Sequence, residues 1–304
     1  MLHSPKKFNI QYTAIFSSPT DNCVRVWLSQ PVDSETQKVE SFSISPKPQN
    51  CYKDNQGNKI LYFEINGQKD WKIQMDIKTT LYKNTTFPAK DQLALPSAST
   101  KLFQQYTQNE KFLEQTPSVK KLAQITTNNG SDIVANIRSV FNFIVKNFTY
   151  CYPVQQRGVK YLSLDNLIGD CGEYSSLFVT MCRILKIPAR NNTGFVIFPK
   201  QKKINEHGWA NIYLKPYGWL DFDTQYASLE KNASPYFGRR NDYRISFTNG
   251  FNIPLKPSIP KDFKINYWNE HGMPLTHTAA QTLQPIIFAS QKEIEFKDSL
   301  ELLS

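Results

Sequence analysis

The chain has 304 residues, 40% of them apolar and 13% aromatic, the balance of a folded protein with a sizeable core and not of a disordered or collagen-like chain. Its formal charge of +10 comes from 36 basic and 26 acidic residues scattered along the sequence, with no nucleic-acid-binding motif beside them, so no nucleic-acid partner is expected. No run of about 18 apolar residues offers a membrane span.

The N-terminal stretch MLHSPKKFNIQYTAIFSS holds two lysines but lacks the apolar core of a signal peptide. A cytoplasmic protein is expected on that ground, with export of a longer precursor left open. Five cysteines, Cys23, Cys51, Cys151, Cys171 and Cys182, are odd in number and show no paired spacing, which argues against a disulfide framework. Without a C-x-x-C or H-x-x-x-H pair, neither a metal nor a cofactor is expected.

The first third alternates with period two. Phe8, Ile10, Tyr12, Ala14 and Phe16 share one face, as do Trp71, Ile73, Met75 and Ile77, and both segments read as half-buried strands. CVRVWL at 23–28 and NKILYFEI at 58–65 add two more strands, the second entered through the turn signal DNQGN at 54–58. Short strands separated by turns predict an N-terminal antiparallel β-sandwich. A segment with two prolines and no clear period, NTTFPAKDQLALPSAST at 84–100, follows it, and the boundary is set there: a sandwich over 1–95, a second domain over 96–304.

The period then becomes helical. Ser131 can cap a helix whose buried face is Ile133, Ile137, Val140, Phe141, Ile144 and Phe148. A second core helix runs from Cys171 to Leu185 through Tyr174, Leu177, Phe178 and Met181 and ends before Pro188. Strand-like segments come next, at 193–198, 207–214, 218–223 and 243–247, so the second domain has an α+β order.

Cys171 opens its helix, after Gly169 and before Gly172, where free backbone N–H groups favour an anion and are expected to lower the thiol pKa. Cys182 falls within the helix body and reads as packing. A thiol nucleophile needs a base, and the histidines are His3, His207, His271 and His277. His3 lies in a terminal segment, His271 precedes a proline turn and His277 sits in a polar run; His207 alone opens a strand, GWANIYL. An orienting carboxylate can come from Asp221 or Asp223 in GWLDFD, which share a face, so alternation does not choose between them. A hairpin centred on Lys215 would set His207 directly opposite Asp223, whereas a later turn would need a bulge to keep the two on one face.

GDCGEYSSLFVTMCRILKIPAR, then HGWANIYL, then GWLDFD resemble in order the core of the transglutaminase-like superfamily, strongly over about 130–255 and weakly outside. The resemblance implies a papain-like α+β fold and a Cys-His-Asp triad of Cys171, His207 and Asp223, the last chosen over Asp221 because it follows Trp219 by four residues. The β-rich first domain, with its Gly57–Asn58 pair, is similar to the region that often precedes such cores in microbial members. Asn211 stands where members often have an acidic residue, and Thr224 where proline is usual.

The expected activity is that of a cysteine-dependent amide hydrolase, peptidase-like, acting on a protein or peptide through an acyl-enzyme. The alternatives are a protein-glutamine acyltransferase using the same residues, or a non-catalytic binding scaffold. Tyr150, Gln155 and Trp209 are the residues expected to line a substrate cleft. The oligomeric state is not legible in the sequence.

Overall fold

The computed structural model describes residues 5–83, 93–127, 130, 132–154, 156–239, 243–263, 265–267, 278–279, 285–291 and 294–303. Six strands come first: β1 (Lys6–Ser17), β2 (Cys23–Gln30), β3 (Gln37–Ser45), β4 (Asn50–Lys53), β5 (Lys59–Asn66) and β6 (Asp70–Leu81). β1 and β6 pair antiparallel along their whole length, with Ile10 opposite Ile77 and Tyr12 opposite Met75, so their apolar faces coincide. The turn into β5 is closed by Asp54, whose Oδ1 accepts from the backbone N–H of Gln56 at 2.9 Å and of Asn58 at 2.8 Å.

Helices α1 (Lys101–Thr107), α2 (Pro117–Thr126) and α3 (Ile133–Asn147) follow, the first two having no counterpart in the sequence reading. α3 is capped by Asp132, which accepts from Ala135 N–H at 3.0 Å; Ser131, the cap expected from sequence, lies outside the described residues. Two-residue strands β7 (Thr149–Tyr150) and β8 (Ile168–Gly169) pair in parallel and bring the chain to α4 (Cys171–Ile184). At the far end of α4, Ile187 N–H bonds the Cys182 carbonyl and Lys186 N–H that of Arg183, with Lys186 left-handed at φ 60°. That double bond is a Schellman stop, and Pro188 keeps the helix from resuming.

Strands β9 (Ala189–Phe198), β10 (Lys203–Leu214) and β11 (Gly218–Phe222) come next, then the short α5 (Thr224–Leu229). The remaining strands are β12 (Arg244–Asn249), β13 (Ile253–Pro254), β14 (Ile265–Asn266), β15 (Thr278–Ala279), β16 (Ile286–Ala289) and β17 (Glu295–Leu302).

Two compact units result, and they differ from a single cut after residue 95. One joins Met1–Lys83, Thr193–Glu206 and Asp242–Ser304; the other joins Asn84–Asn192 and His207–Asn241. The reason is pairing: β17 lies antiparallel on β1, Ile10 opposite Leu302, and β16 on β2, Val26 opposite Ile287, so the last strands complete sheets that the first strands began.

The first unit is a sandwich of two antiparallel sheets, ordered β17-β1-β6-β3 and β14-β16-β2-β5-β4. Phe8, Ile10, Tyr12 and Phe16 of β1 and Trp71, Ile73 and Met75 of β6 meet Val24, Val26, Leu28, Leu61 and Phe63 of the other sheet in one core. In the second unit α1, α2, α3 and α5 all pack against α4 or its neighbours. Edge-on ring contacts at 5.0–6.1 Å link Phe141 of α3, Phe178 of α4, Phe222 of β11 and Phe237, fixing the end of β11 against the helices. The fold is thus α+β: a β-sandwich together with an α+β core.

Candidate active site

The site lies in the second unit, where α4 begins. Asp170 caps the helix, its Oδ1 accepting from Gly172 N–H at 2.7 Å. Three residues on, Glu173 reaches back so that its carboxylate accepts from the Asp170 backbone N–H, completing a capping box. Gly169 is needed for this return: a Cβ there would stand 2.5 Å from the Cβ of Glu173.

Arg157, from the loop after β7, closes the charge. Its Nη1 and Nη2 donate to the two oxygens of Asp170 at 2.8 and 2.6 Å, and Nη1 also donates to Glu173 Oε2 at 2.7 Å. Burial works to raise Asp170, but Arg157 and the Gly172 N–H hold its carboxyl below its ordinary value. Glu173 has the weaker claim on the guanidinium, and burial together with the Asp170 charge pushes it up to about 8.

Cys171 follows Asp170 directly and is partly exposed. The shift of the thiol runs opposite to the one its helix-start position suggested. Burial of the sulfur and the adjacent Asp170 carboxylate push its pKa up, against the opposing pull of the Gly208 N–H and Arg157. Gly208 lies over Cys171: a Cβ on it would sit 3.8 Å from Sγ. Cys182 is fully buried and its thiol is raised by burial alone.

His207, next to Gly208 on β10, is buried, and its Nε2 lies 2.8 Å from Asp223 Oδ2. With the carboxylate as acceptor the proton resides on Nε2, which leaves Nδ1 as the basic nitrogen. Asp223 is fixed in turn: it caps α5, its Oδ1 accepting from Tyr226 N–H at 2.9 Å. The Tyr226 ring stacks on the imidazole, centroids 4.0 Å apart and planes 6° from parallel. One short helix therefore orients and clamps the histidine.

The hairpin that brings these groups together is centred on Pro216, with Asn211 opposite Asp221, and not on Lys215. The ladder ends at Phe222, so Asp223 reaches His207 diagonally from the start of α5 with no bulge in the β10–β11 pairing. Asp221 has a separate partner, Asn211 Nδ2 at 2.6 Å, which takes it out of contention as the group on the histidine.

Of the expected cleft residues, Tyr150 is half exposed and its hydroxyl lies within the electrostatic reach of Cys171 and Asp170. Trp209 is wholly buried: it shares the face of β10 with His207, ring centroids 6.2 Å apart, but in a stretch where β10 is buried on both faces, so it packs in the core and lines no cleft. Gln155, like His3, His271 and His277, lies outside the described residues.

Residues 120–224 match the family described as the Transglutaminase-like superfamily. They form a transglutaminase-like core. A Haemophilus influenzae protein described as uncharacterized is 23% identical over 254 residues, covering 72% of this chain and 68% of its own. The crystal structure of a candidate cysteine protease from Cytophaga hutchinsonii superposes with a TM-score of 0.66 at 14% identity, over 100% of this chain and 93% of that one, so the likeness of fold extends beyond the core. The periplasmic domain of TgpA from Pseudomonas aeruginosa aligns more loosely, with a TM-score of 0.38 at 14% identity over 72% of this chain and 90% of that one.

Two residues beside Cys171 in the transglutaminase-like core escaped the sequence reading. Glu173 was detectable, since an acidic residue three places after Asp170 is the capping-box signature. Arg157 carries no local signal: only the fold of the loop between β7 and β8 brings it to residues 13 and 16 positions away. Among the described residues no helix is long and apolar enough to cross a membrane.

Proposed function

We propose that the chain is a cysteine-dependent amide hydrolase of the peptidase kind, with Cys171 as nucleophile, His207 as general base and acid, and Asp223 as the group that orients the imidazole. The observation that carries this reading is the buried His207–Asp223 contact at 2.8 Å beside a glycine whose backbone packs on the Cys171 sulfur.

The thiol proton passes to His207 Nδ1 as Sγ forms its bond to the substrate carbonyl carbon. The carbonyl oxygen takes up the negative charge, and the Cys171 N–H, at the first position of α4, supplies a donor for it. When the tetrahedral intermediate collapses, His207 returns the proton to the departing amine and the C–N bond breaks, leaving a thioester. Water then attacks the thioester carbonyl, giving one proton to His207 and releasing the acid; that proton returns to the sulfur. Tyr150, exposed beside the nucleophile, is placed to meet a substrate side chain next to the scissile bond.

The test is the rate of Cys171 alkylation by iodoacetamide in the native protein and in His207→Ala, followed by casein cleavage. Alkylation slowed by His207→Ala, with casein cleavage lost in Cys171→Ala, is the expected result. Alkylation indifferent to His207 would overturn the reading, and incorporation of a fluorescent amine into casein without cleavage would replace hydrolysis by acyl transfer.

A further inference from the structure

We propose that Arg157 is a positioning residue for the thiol: its guanidinium grips both oxygens of Asp170, so that this carboxylate caps α4 without setting an uncompensated negative charge against the sulfur. The proposal rests on the reading of Cys171 as nucleophile.

The capping residue of α4 creates a conflict. Asp170 is chemically suited to cap the helix, and its Oδ1 bond to Gly172 N–H at 2.7 Å does so. It is also the residue bonded to Cys171, and a carboxylate there opposes formation of a thiolate. The other groups facing the sulfur do not resolve the conflict. Asp223, at the start of α5, adds a second negative charge; Tyr150, on β7, is neutral; and His207, on β10, is the base of the triad itself. Glu173, also on α4, would deepen the negative field if it ionised. Among the described residues Arg157 is the cation that faces Cys171 from outside the triad, and the sulfur and the guanidinium act on each other electrostatically.

The geometry is that of a group held for this purpose. The fork is two-toothed on Asp170, at 2.8 and 2.6 Å, with a third contact of 2.7 Å to Glu173, and the Arg157 side chain is 15% exposed. The surrounding loop is pinned on both sides, by Cys151 N–H on the Gly169 carbonyl at 2.9 Å and by Val159 N–H on the Phe112 carbonyl at 3.1 Å. With one arginine and two carboxylates, the cluster reaches neutrality when Glu173 holds a proton, and Glu173 can take over as partner if Asp170 loses its charge.

The experiment measures the alkylation rate of Cys171 by iodoacetamide at pH 7.5 in the full chain, with thermal melting of each variant alongside. Arg157→Gln should slow alkylation about tenfold, the effect of about one pKa unit at a thiol titrating above the working pH. Removing the stranded carboxylate as well, in Arg157→Gln/Asp170→Asn, should restore the rate to within about threefold of the native protein, a recovery that a purely structural role would not produce. Asp170→Asn alone keeps a cap and leaves Arg157 paired with Glu173; it should alkylate faster than the native protein, and it carries the test if Arg157→Gln does not fold.

A folded Arg157→Gln that melts lower but alkylates at the native rate overturns the proposal, as does a double variant as slow as the single one or an Asp170→Asn no faster than native. These outcomes are separate from failure of the triad reading, which shows as alkylation unaffected by His207→Ala.

Discussion

The two ends of α4 carry the same residue types in different company. At the first turn stand Cys171 and, against it, Arg157 with two carboxylates; in the last turns stand Cys182 and Arg183, the latter donating to Glu110 Oε2 at 2.9 Å and to the carbonyls of Ala189 at 2.9 Å and Gln108 at 3.2 Å. Cys171 is partly exposed and surrounded by charge and by a backbone donor, whereas Cys182 is sealed and meets burial alone. Burial pushes both thiols up. What separates them is whether anything nearby can take a proton or meet a negative charge, so a raised thiol pKa by itself distinguishes neither nucleophile from filler.

The sharpest test of the contrast is Cys171→Ala against Cys182→Ala. The first should lower turnover by about 10^4-fold or more, while the second leaves kcat within about twofold, measured as casein cleavage. Equal losses would mean that the helix as a whole, and not its first turn, carries the activity.

How far the sequence displayed this contrast depended on range. Cys171 and His207 stood out because each sits in a short local string, whereas alternation left Asp221 and Asp223 open and only the resemblance chose the second; the sandwich strands were legible because alternation is local too. The last strand was not: in EFKDSLEL the inward face is interrupted by Asp298, which accepts from Tyr12 Oη at 3.0 Å, so its apolar period is broken although it pairs with β1. The direction of the Cys171 thiol shift was also hidden, because helix-end polarity can be read from position whereas burial depends on distant parts of the chain, such as Gly208, packing around the sulfur.

At the other end of the helix, Arg183→Met should cost about 3–5 kcal/mol by stranding Glu110 and freeing the Ala189 carbonyl, seen as a fall in Tm of the order of 10 °C. The protein that remains folded should keep its kcat. A loss of kcat without a loss of Tm would erase the distinction between an anchoring end and a reactive end.

A smaller effect tests how tightly Cys182 is packed. Cys182→Ala should cost about 1–2 kcal/mol, and Cys182→Ser more than that, since a hydroxyl costs more than a thiol to bury in apolar surroundings. Denaturant midpoints at constant m-value check this.

A last prediction concerns pH. Glu173 has its pKa raised from 4.5 to about 8 in the fold, so its contribution to stability is complete below about pH 4.5 and is lost as pH rises through about 8. In Glu173→Gln that position is neutral at every pH. The Tm of the native protein should therefore fall relative to the variant between pH 4.5 and 8 and run parallel to it above that range. Parallel curves throughout would show a carboxylate that titrates in the fold as it does in the unfolded chain.

The tyrosine stacked on the histidine supplies an internal reporter. With the Tyr226 ring 4.0 Å above the imidazole and nearly parallel to it, the carbon-bound protons of His207 lie in the shielding cone of an aromatic current, and their magnetic resonance signals are displaced upfield from those of a solvated histidine. Those signals move when the ring gains a proton and move back when it tilts away from Tyr226, so one spectrum follows both the charge and the alignment of the base while the chain turns over.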